Sequence, residues 1–237
     1  MRRNLLRLKN LISNPFYYLF ILLNRIKFRL NGIQYGKRMK VYNNIYLRKH
    51  KESIIEIGDD FVFSSGKSYN PLCRNIKGSI YAPQGAKIII GDGVGISSAC
   101  IWAKTNITIG NNVKIGGDCI LLDTDAHSLD YQIRASKEVN EDGVSLDSFN
   151  AKSAPITIED DVLIGTRCIV LKGVTIGARS IIGSGSVVSK SIPSDCIAAG
   201  NPCKVLRKIT EEDRRKLYKD EEIDEEAWRD IAEKGFC

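Results

Sequence analysis

The residues best suited to chemistry lie in one short stretch, ILLDTDAHSLDYQIR, at positions 120–134. It holds His127, one of only two histidines in the chain, with Asp123 and Asp125 just before it. Histidine titrates near neutral pH and can move a proton, and a neighbouring carboxylate can fix which ring nitrogen carries that proton. The other histidine, His50, lies in a basic lead-in where we expect no catalytic role. The stretch is also where a regular pattern stops for about thirty residues before it resumes.

That pattern is an aliphatic residue at every sixth position. The downstream run has no miss and consists of Ile158, Ile164, Val170, Ile176, Ile182 and Val188. The upstream run places Ile90, Ile96 and Trp102, slips by one residue, and resumes at Ile109, Ile115 and Leu121. A helix repeats near 3.6 residues and a strand at 2, so neither alone explains a spacing of six. The spacing is typical of a short strand and a corner, repeated as a coil of about eighteen residues per turn whose aliphatic residues stack inward.

A second, small or β-branched position follows four residues after each of these. It holds Val94, Cys100, Val113, Cys119, Val162, Cys168, Val174, Ser180 and Ser186. We therefore predict that Cys100, Cys119 and Cys168 are packed core thiols rather than reactive groups. The seven cysteines are odd in number and lack CxxC spacing, which argues against a disulfide framework or a zinc site and favours a reducing cytoplasm.

The two ends of the chain differ in charge from its nearly balanced middle. Residues 1–50 carry twelve Lys and Arg and no Asp or Glu, whereas residues 211–237 carry eleven acids and six bases. We divide the chain into a basic amphipathic segment over residues 1–40, a coil over 41–209 with a loop over 123–155, and an acidic C-terminal helix over 210–237. The apolar stretch of the N-terminal segment is too short to span a bilayer. No small-residue cleavage site follows it, which argues against a signal peptide. The segment forms a helix that lies on a membrane surface, or a helix that packs against the coil or a neighbouring subunit. The segment has no motif of a known nucleic-acid-binding protein.

The repeat, the interrupting histidine and the ending AAGNPCKVLRKI together resemble the hexapeptide-repeat acyltransferases over residues 55–209. The resemblance is greatest to the O-acetyltransferase branch, which includes the galactoside and maltose acetyltransferases and the sugar acetyltransferases of capsule, O-antigen and exopolysaccharide synthesis. It implies an all-β fold, a left-handed parallel β-helix with an N-terminal helical lead-in, an extruded loop and a C-terminal helix. It also implies a homotrimer with active sites between subunits, in the cytoplasm or peripheral at the inner face of the membrane. Acetyl-CoA is the implied co-substrate, with no metal required.

Within that resemblance, His127 is the general base that removes the proton of a sugar hydroxyl, whose oxygen attacks the thioester carbonyl directly. Asp123 or Asp125 would hold the other imidazole nitrogen, although a backbone carbonyl would serve and an Asp-rich turn accounts for both acids equally simply. Backbone amides of the coil are expected to stabilise the oxyanion.

The resemblance also implies the residues that contact coenzyme A: Thr166, Ser184, Ser189, Lys190, Lys204 and Arg207. The first two match positions whose backbone amides bind the pantetheine arm or the thioester. The next two match positions near the nucleotide, and the last two match bases that meet the phosphates, where opposite charge favours binding.

The acceptor pocket departs from the galactoside enzymes, which place an Asn early in the coil. The corresponding stretch here, GISSACIWA at positions 95–103, has no Asn, so we expect Ser97 or Ser98 in its place. In the loop, Tyr131 and Arg134 either contact the acceptor sugar or only pack the loop.

Four other functions are considered for the chain. An N-acyltransferase acting on a nucleotide-linked amino sugar is the main alternative, and a serine O-acetyltransferase is a second one that usually carries a long acidic helical domain in front of its coil. The gamma-class carbonic anhydrases share the fold but need three histidines, and the chain has two. A non-catalytic scaffold would need neither the loop histidine nor the G-N-P-x-K-V-x-R ending.

Overall fold

The computed structural model describes residues 16–66 and 76–213, which form one parallel β-coil with a helix, α1 (Phe16–Leu30), at its N-terminal end. The first nine strands are β1 (Gln34–Tyr35), β2 (Lys40–Tyr42), β3 (Tyr46–Lys49), β4 (Ile54–Ile57), β5 (Val62–Ser64), β6 (Ser79–Ala82), β7 (Lys87–Ile90), β8 (Gly95–Ser97) and β9 (Cys100–Trp102). Strands β10 (Asn106–Ile109), β11 (Lys114–Ile115) and β12 (Ile120–Leu122) complete the coil before the loop.

The loop carries two short helices, α2 (Tyr131–Ala135) and α3 (Leu146–Asn150). The coil then resumes with β13 (Ile156–Ile158), β14 (Leu163–Ile164), β15 (Ile169–Leu171), β16 (Thr175–Ile176), β17 (Ile181–Ile182), β18 (Val187–Val188), β19 (Cys196–Ala199) and β20 (Lys204–Lys208). The predicted acidic helix over 210–237 lies outside the described residues from position 214 onward.

Successive strands belong to three different sheets, so three strands make one turn of the coil. The first sheet has the order β1-β4-β7-β10-β13-β16, the second β2-β5-β8-β11-β14-β17-β19-β20, and the third β18-β15-β12-β9-β6-β3. Every pairing is parallel except that of β20, which folds back antiparallel on β19. The coil begins at β1, inside the segment over residues 1–40 that we set apart from it.

The aliphatic residues predicted to stack inward lie in the core, with one exception. All six positions of the downstream run are buried. Upstream, the placement of Trp102 in the core is wrong, because Ile101 is buried there and Trp102 lies on the outer face. Ile101 follows Ile96 by five residues, whereas their register partners on the next turn of the coil, Ile115 and Leu121, are six residues apart. The shorter corner bends at Ser98, which has a left-handed backbone conformation.

The same shortening changes the assignment of the cysteines. Cys119 and Cys168 are buried in the coil as predicted, but Cys100 is half-buried and its expected core position is filled by Ala99. The hydrogen bond with Cys168 and burial together raise the pKa of the Cys119 thiol. A raised pKa favours the neutral thiol, which is consistent with a packing role.

One corner of the coil, between the first and second sheets, is closed by a ladder of side chains. Asp59 Oδ1 accepts from the amide of Lys37, Asp92 Oδ1 from that of Asp59, Asn111 Oδ1 from that of Asp92, and Asp160 Oδ1 from that of Asn111. A glycine precedes each of the four residues whose amide donates, and it leaves room for the acceptor side chain. A Cβ on Gly91 would lie only 2.6 Å from Asn111 Oδ1.

Candidate active site

The loop over residues 123–155 leaves the third sheet after β12 and returns to the first sheet at β13. Its two ends are tied together at the base. Thr124 and Ser153 form an antiparallel bridge, and the amide of Asp125 donates to Lys152 O at 2.9 Å. The loop therefore leaves and re-enters the coil at one corner, between the third and first sheets, with its two ends bound to each other.

Asp123 and Asp125 hold this base and do not contact His127, which corrects the prediction that one of them orients the imidazole. Asp123 is fully buried and accepts from the amides of Lys104 (2.5 Å), Thr105 (2.7 Å) and Asn106 (2.8 Å), as well as from the Thr105 hydroxyl. Asp125 forms an ion pair with Lys172, next to the end of β15. Both carboxylates thus fasten the loop to the coil.

The partner of His127 is Asp147. His127 Nδ1 lies 2.6 Å from Asp147 Oδ2, and the other carboxylate oxygen accepts from the amide of Ser128 at 2.7 Å. The hydrogen bond from His127, followed by that from Ser128, lowers the pKa of Asp147. The His127 side chain is 68% exposed, so the imidazole is held on one side and open on the other.

A hairpin within the loop brings Asp147 to His127. The strand-like pair Val139 and Ser145 turns the chain back, and Asp147 follows in the first turn of α3. Because hairpin and helix lie between the two residues, partners 20 positions apart in sequence meet side by side. Ser145 is a residue type that often precedes a helix, but no sequence pattern predicts that this helix packs against His127.

Lys104 of the coil fixes the position of α3. Its Nζ donates to the carbonyls of Ser148 (2.5 Å), Phe149 (3.3 Å) and Ala151 (2.9 Å), at the C-terminal end of the helix. Burial lowers the pKa of Lys104, although the nearby Asp123 opposes that shift. A cation at the end of a helix satisfies carbonyl groups that the helix itself leaves without partners. Sequence reasoning missed both Lys104 and Asp147.

The two loop residues considered as acceptor contacts both lie on α2. Tyr131 is exposed on α2. Arg134 NH1 donates to Ser128 O at 2.6 Å, so its guanidinium helps to hold the segment that follows His127. Arg134 also contributes to the lowered pKa of Asp147 by its charge.

A cavity of about 410 Å³ lies between the loop and the third sheet. Its coil side is an aromatic surface in which Tyr81 and Trp102, register partners on β6 and β9, have ring centroids 5.5 Å apart at 45°. Its loop side includes Ala126 and Ser148, the chain neighbours of His127 and Asp147, and its rim also has the polar groups of Asn140, Asp142, Gln84 and Thr124. The His127–Asp147 pair therefore lies next to the cavity.

A shallow groove of about 390 Å³ runs along the second sheet. Three polar side chains line it: Ser97 at the end of β8, and Thr166 and Ser184 two residues after β14 and β17. The proposal that Ser98 contacts the acceptor is wrong, since Ser98 is buried at a corner and its amide donates to Ser64 O at 2.6 Å.

The remaining residues expected at coenzyme A are exposed but separated. Ser189 and Lys190 follow β18 of the third sheet, and Lys204 begins β20 at the end of the second sheet. Arg207 already forms two hydrogen bonds to the Asp213 carboxylate, from Nη1 to Oδ2 at 2.5 Å and from Nη2 to Oδ1 at 2.8 Å. This pairing lowers the pKa of Asp213. Arg207 can meet a phosphate only by sharing or leaving that carboxylate. Over residues 16–66 and 76–213, no group of three or more His, Cys, Asp or Glu side chains could hold a metal ion.

Parts of the chain are similar to known proteins. The model of the bacterial transferase hexapeptide family (six repeats) matches residues 155–190. Galactoside O-acetyltransferase of Escherichia coli strain K12 is 36% identical over 118 residues, which cover 50% of this chain and 52% of that protein. Polysialic acid O-acetyltransferase of Escherichia coli O1:K1 is 33% identical over 135 residues, 56% of this chain and 40% of that protein. The chain spans about half the length of the curated relatives it matches.

Among solved structures, AntD, an N-acyltransferase from Bacillus cereus bound to dTDP and 3-hydroxybutyryl-CoA, aligns with a TM-score of 0.60 at 14% identity. The alignment covers 88% of this chain and 96% of that one, and it shows a shared fold alone. With the repeat match and the three parallel sheets, the predicted fold class, a left-handed parallel β-helix, is confirmed. Residues 155–190 thus match the bacterial transferase hexapeptide family, and about half of the chain is similar to the named O-acetyltransferases.

Proposed function

We propose that the protein is an acetyl-CoA-dependent O-acetyltransferase that acts on a hydroxyl of a sugar in surface polysaccharide synthesis. The observation that carries the proposal is the hydrogen bond between His127 Nδ1 and Asp147 Oδ2 beside a cavity of substrate size. Two relatives, named for O-acetyl transfer to a galactoside and to polysialic acid, support the same reaction class. A cytoplasmic location fits an acetyl-CoA-dependent reaction.

The pair fixes the direction in which the proton moves. Because the pKa of Asp147 is lowered, its carboxylate is ionised near neutral pH and can only accept a hydrogen bond, so His127 carries its proton on Nδ1. The Nε2 lone pair is then the group that takes the hydroxyl proton. The hydroxyl oxygen forms a bond to the acetyl carbonyl carbon, the carbon–sulfur bond breaks, and the thiolate of coenzyme A takes the proton from Nε2. Asp147 stabilises the imidazolium while it exists.

The cavity next to the pair is suited to a pyranose. A sugar ring has a face of C–H groups and an edge of hydroxyls, and the Tyr81–Trp102 surface offers an apolar floor for that face. Asn140, Asp142 and Gln84 offer hydrogen-bond partners at the rim. A sugar bound in this cavity would have a ring hydroxyl near His127, as base catalysis requires.

The coenzyme A groove and the base lie on different sides of one chain. The groove is on the second sheet, whereas the loop leaves the opposite corner, between the third and first sheets. The fit of the groove is reasonable, since Ser97, Thr166 and Ser184 give it a polar floor and Lys204 at the end of the same sheet offers a charge for a phosphate. We propose that a homotrimer brings the loop of one subunit to the groove of the next.

The test is acetyl-CoA turnover, read as released thiol, over free, nucleotide-linked and polysaccharide sugars. We expect one acceptor class to stimulate turnover and His127→Ala to lower kcat/KM by about 10²–10⁴-fold. His50→Ala is the matched control, since it removes the other histidine and should change nothing. Equal turnover in wild type and His127→Ala would remove the mechanism.

Two further arms sharpen this assay. Amino-sugar acceptors separate ester from amide formation, and stimulation by these alone would replace O-acetyl transfer with N-acyl transfer. Trp102→Ala should raise KM for the acceptor far more than KM for acetyl-CoA, and an unchanged acceptor KM would remove the cavity as the sugar site.

A further inference from the structure

The N-terminal helix α1 is fixed to the coil by one face. Ile21 and Phe28 are buried against the coil, and between them the Asn24 amide donates to Val41 O at 2.9 Å and to Asn43 O at 2.8 Å. Since a buried side-chain amide must find such partners, this face is specified by polar as well as apolar contacts. The rotation of the helix about its axis is therefore set.

The opposite face of the helix presents a stripe of large apolar side chains, which we call the outer stripe. It consists of Leu19, Leu22, Leu23, Ile26 and Leu30, which are between 45% and 82% exposed. Their spacing places them on one side of a helix with 3.6 residues per turn. A contiguous exposed apolar surface of this kind is typical of an interaction site.

Basic residues border the stripe. At 3.6 residues per turn, Arg25 and Arg29 fall on one flank and Lys27 on the other. Arg25 and Arg29 also line an open cleft of about 610 Å³ together with Lys37 and Arg38.

One acid faces those four cations. Asp59 is the acid that lines the cleft, and its Oδ1 already accepts from the amide of Lys37. Arg38 is paired with Asp60. The cleft as a whole keeps an excess of positive charge beside the apolar surface.

We propose that the outer stripe and this basic cleft seat the protein on the surface of an anionic phospholipid bilayer. Apolar side chains of a surface helix enter the boundary between headgroups and acyl chains, and bases at their flanks meet lipid phosphates. A two-fold dimer through this face is a poorer occupant, because it would set one cationic cleft against another. The homotrimer proposed above joins the loop of one subunit to the groove of the next and does not use this helix. No helix in the described parts of the chain is long and apolar enough to cross a membrane. The inference does not rest on the proposed function.

The experiment is sedimentation of the full chain with vesicles of phosphatidylcholine alone or mixed with phosphatidylglycerol. We expect binding to the mixed vesicles, weaker binding to phosphatidylcholine, and a decrease with salt. The double variant Leu22→Glu, Ile26→Glu should lose vesicle binding. Leu206→Glu is the matched control, because Leu206 is also exposed but lies on β20 at the other end of the coil.

Charge reversals provide a second, independent readout. Arg29→Glu and Lys37→Glu should each weaken binding to the mixed vesicles by about fivefold or more. They leave the stripe intact, so they keep the test valid if the double variant folds poorly. Thermal unfolding of every variant checks the fold.

Three results would overturn the proposal. The first is that the wild type binds neither kind of vesicle. The second is that the wild type and both kinds of variant bind equally well. The third is that the stripe variant has a lower mass in solution than the wild type, while the wild type does not bind vesicles. The last would assign the stripe to self-association. Acetyl transfer to a soluble acceptor should be the same in all variants, which separates this test from that of the proposed function.

Discussion

The coil and the loop that leaves it are stabilised by different interactions. In the coil from Ile156 onward, each turn buries aliphatic side chains such as Ile164 and Val170 with no exposure at all. Within the loop over residues 123–155, all of which the structure describes, Ala151 is the one buried apolar side chain. The loop is held by Asp123, by the Asp125–Lys172 ion pair and by Lys104 instead. Stability and chemistry are thereby assigned to separate regions, and a substitution should affect mainly one of them.

The largest effect on stability is expected in the coil. Ile164→Ala removes a fully buried side chain and should lower the free energy of unfolding by about 2–5 kcal/mol, measured by denaturant unfolding. Leu163→Ala is the matched control, since Leu163 is the exposed neighbour on the same strand and should cost far less. A similar loss for both variants would show that the coil is not stabilised by its interior stack.

The next effect should appear in the loop alone. Lys104→Met keeps the length of the side chain and removes the ammonium that holds α3, which should destabilise the closed loop by roughly 1.5–3 kcal/mol. Hydrogen exchange should speed up over residues 138–151 by about 10- to 150-fold and stay unchanged in the coil. Turnover should fall with it, while Lys104→Arg should recover part of both. Uniformly faster exchange would mean that Lys104 supports the coil as a whole.

A smaller loss is expected from the residue that orients the base. Asp147→Asn keeps the shape of the side chain but lets it donate to Nδ1, which favours the wrong imidazole tautomer. We expect kcat to fall by about 10–100-fold, as for other groups that orient a histidine, with the acceptor KM nearly constant. Glu141→Gln, at an exposed acid of the same loop that does not line the cavity, is the control. A normal kcat in Asp147→Asn would leave His127 without a required partner.

The smallest effect is a dependence of loop stability on pH in the acid range, which the same variant should weaken. The pKa of Asp147 is lower in the folded protein than in the unfolded chain, so the unfolded chain binds the proton first. The contribution of Asp147 to loop stability is full above the ordinary carboxyl range and is lost as pH falls through the lowered value. Exchange in the loop should speed up in that range in wild type and less so in Asp147→Asn. Identical pH profiles would show that the contact adds nothing to loop stability.

The periodic part of the sequence was sufficient to predict the coil, because each inward residue is set by its position in the repeat. It predicted the burial of Cys119 and Cys168, and it failed at Trp102 and Cys100, where one turn is a residue shorter and every later side chain in that strand changes face. A slip of one residue in a strand always has this result. The repeat contains no signal for a shortened corner.

The site was less predictable for a different reason. His127 could be singled out by residue type, but its partner is a tertiary contact between two irregular segments. Asp123 and Asp125 are nearer in sequence, yet the first is drawn inward to satisfy backbone amides and the second to pair with Lys172. Buried amides need acceptors as strongly as an imidazole does, and proximity in sequence does not decide between them.

The ladder of Asp59, Asp92, Asn111 and Asp160 has a consequence for how the chain is made. In each step the acceptor belongs to the next turn of the coil and the donor to the turn before it. A turn emerging from the ribosome therefore has its corner amide without a partner until the following turn has been synthesised. Folding during translation should trail synthesis by one turn, and a pause within the loop over residues 123–155 would leave the corner at Asn111 waiting for Asp160.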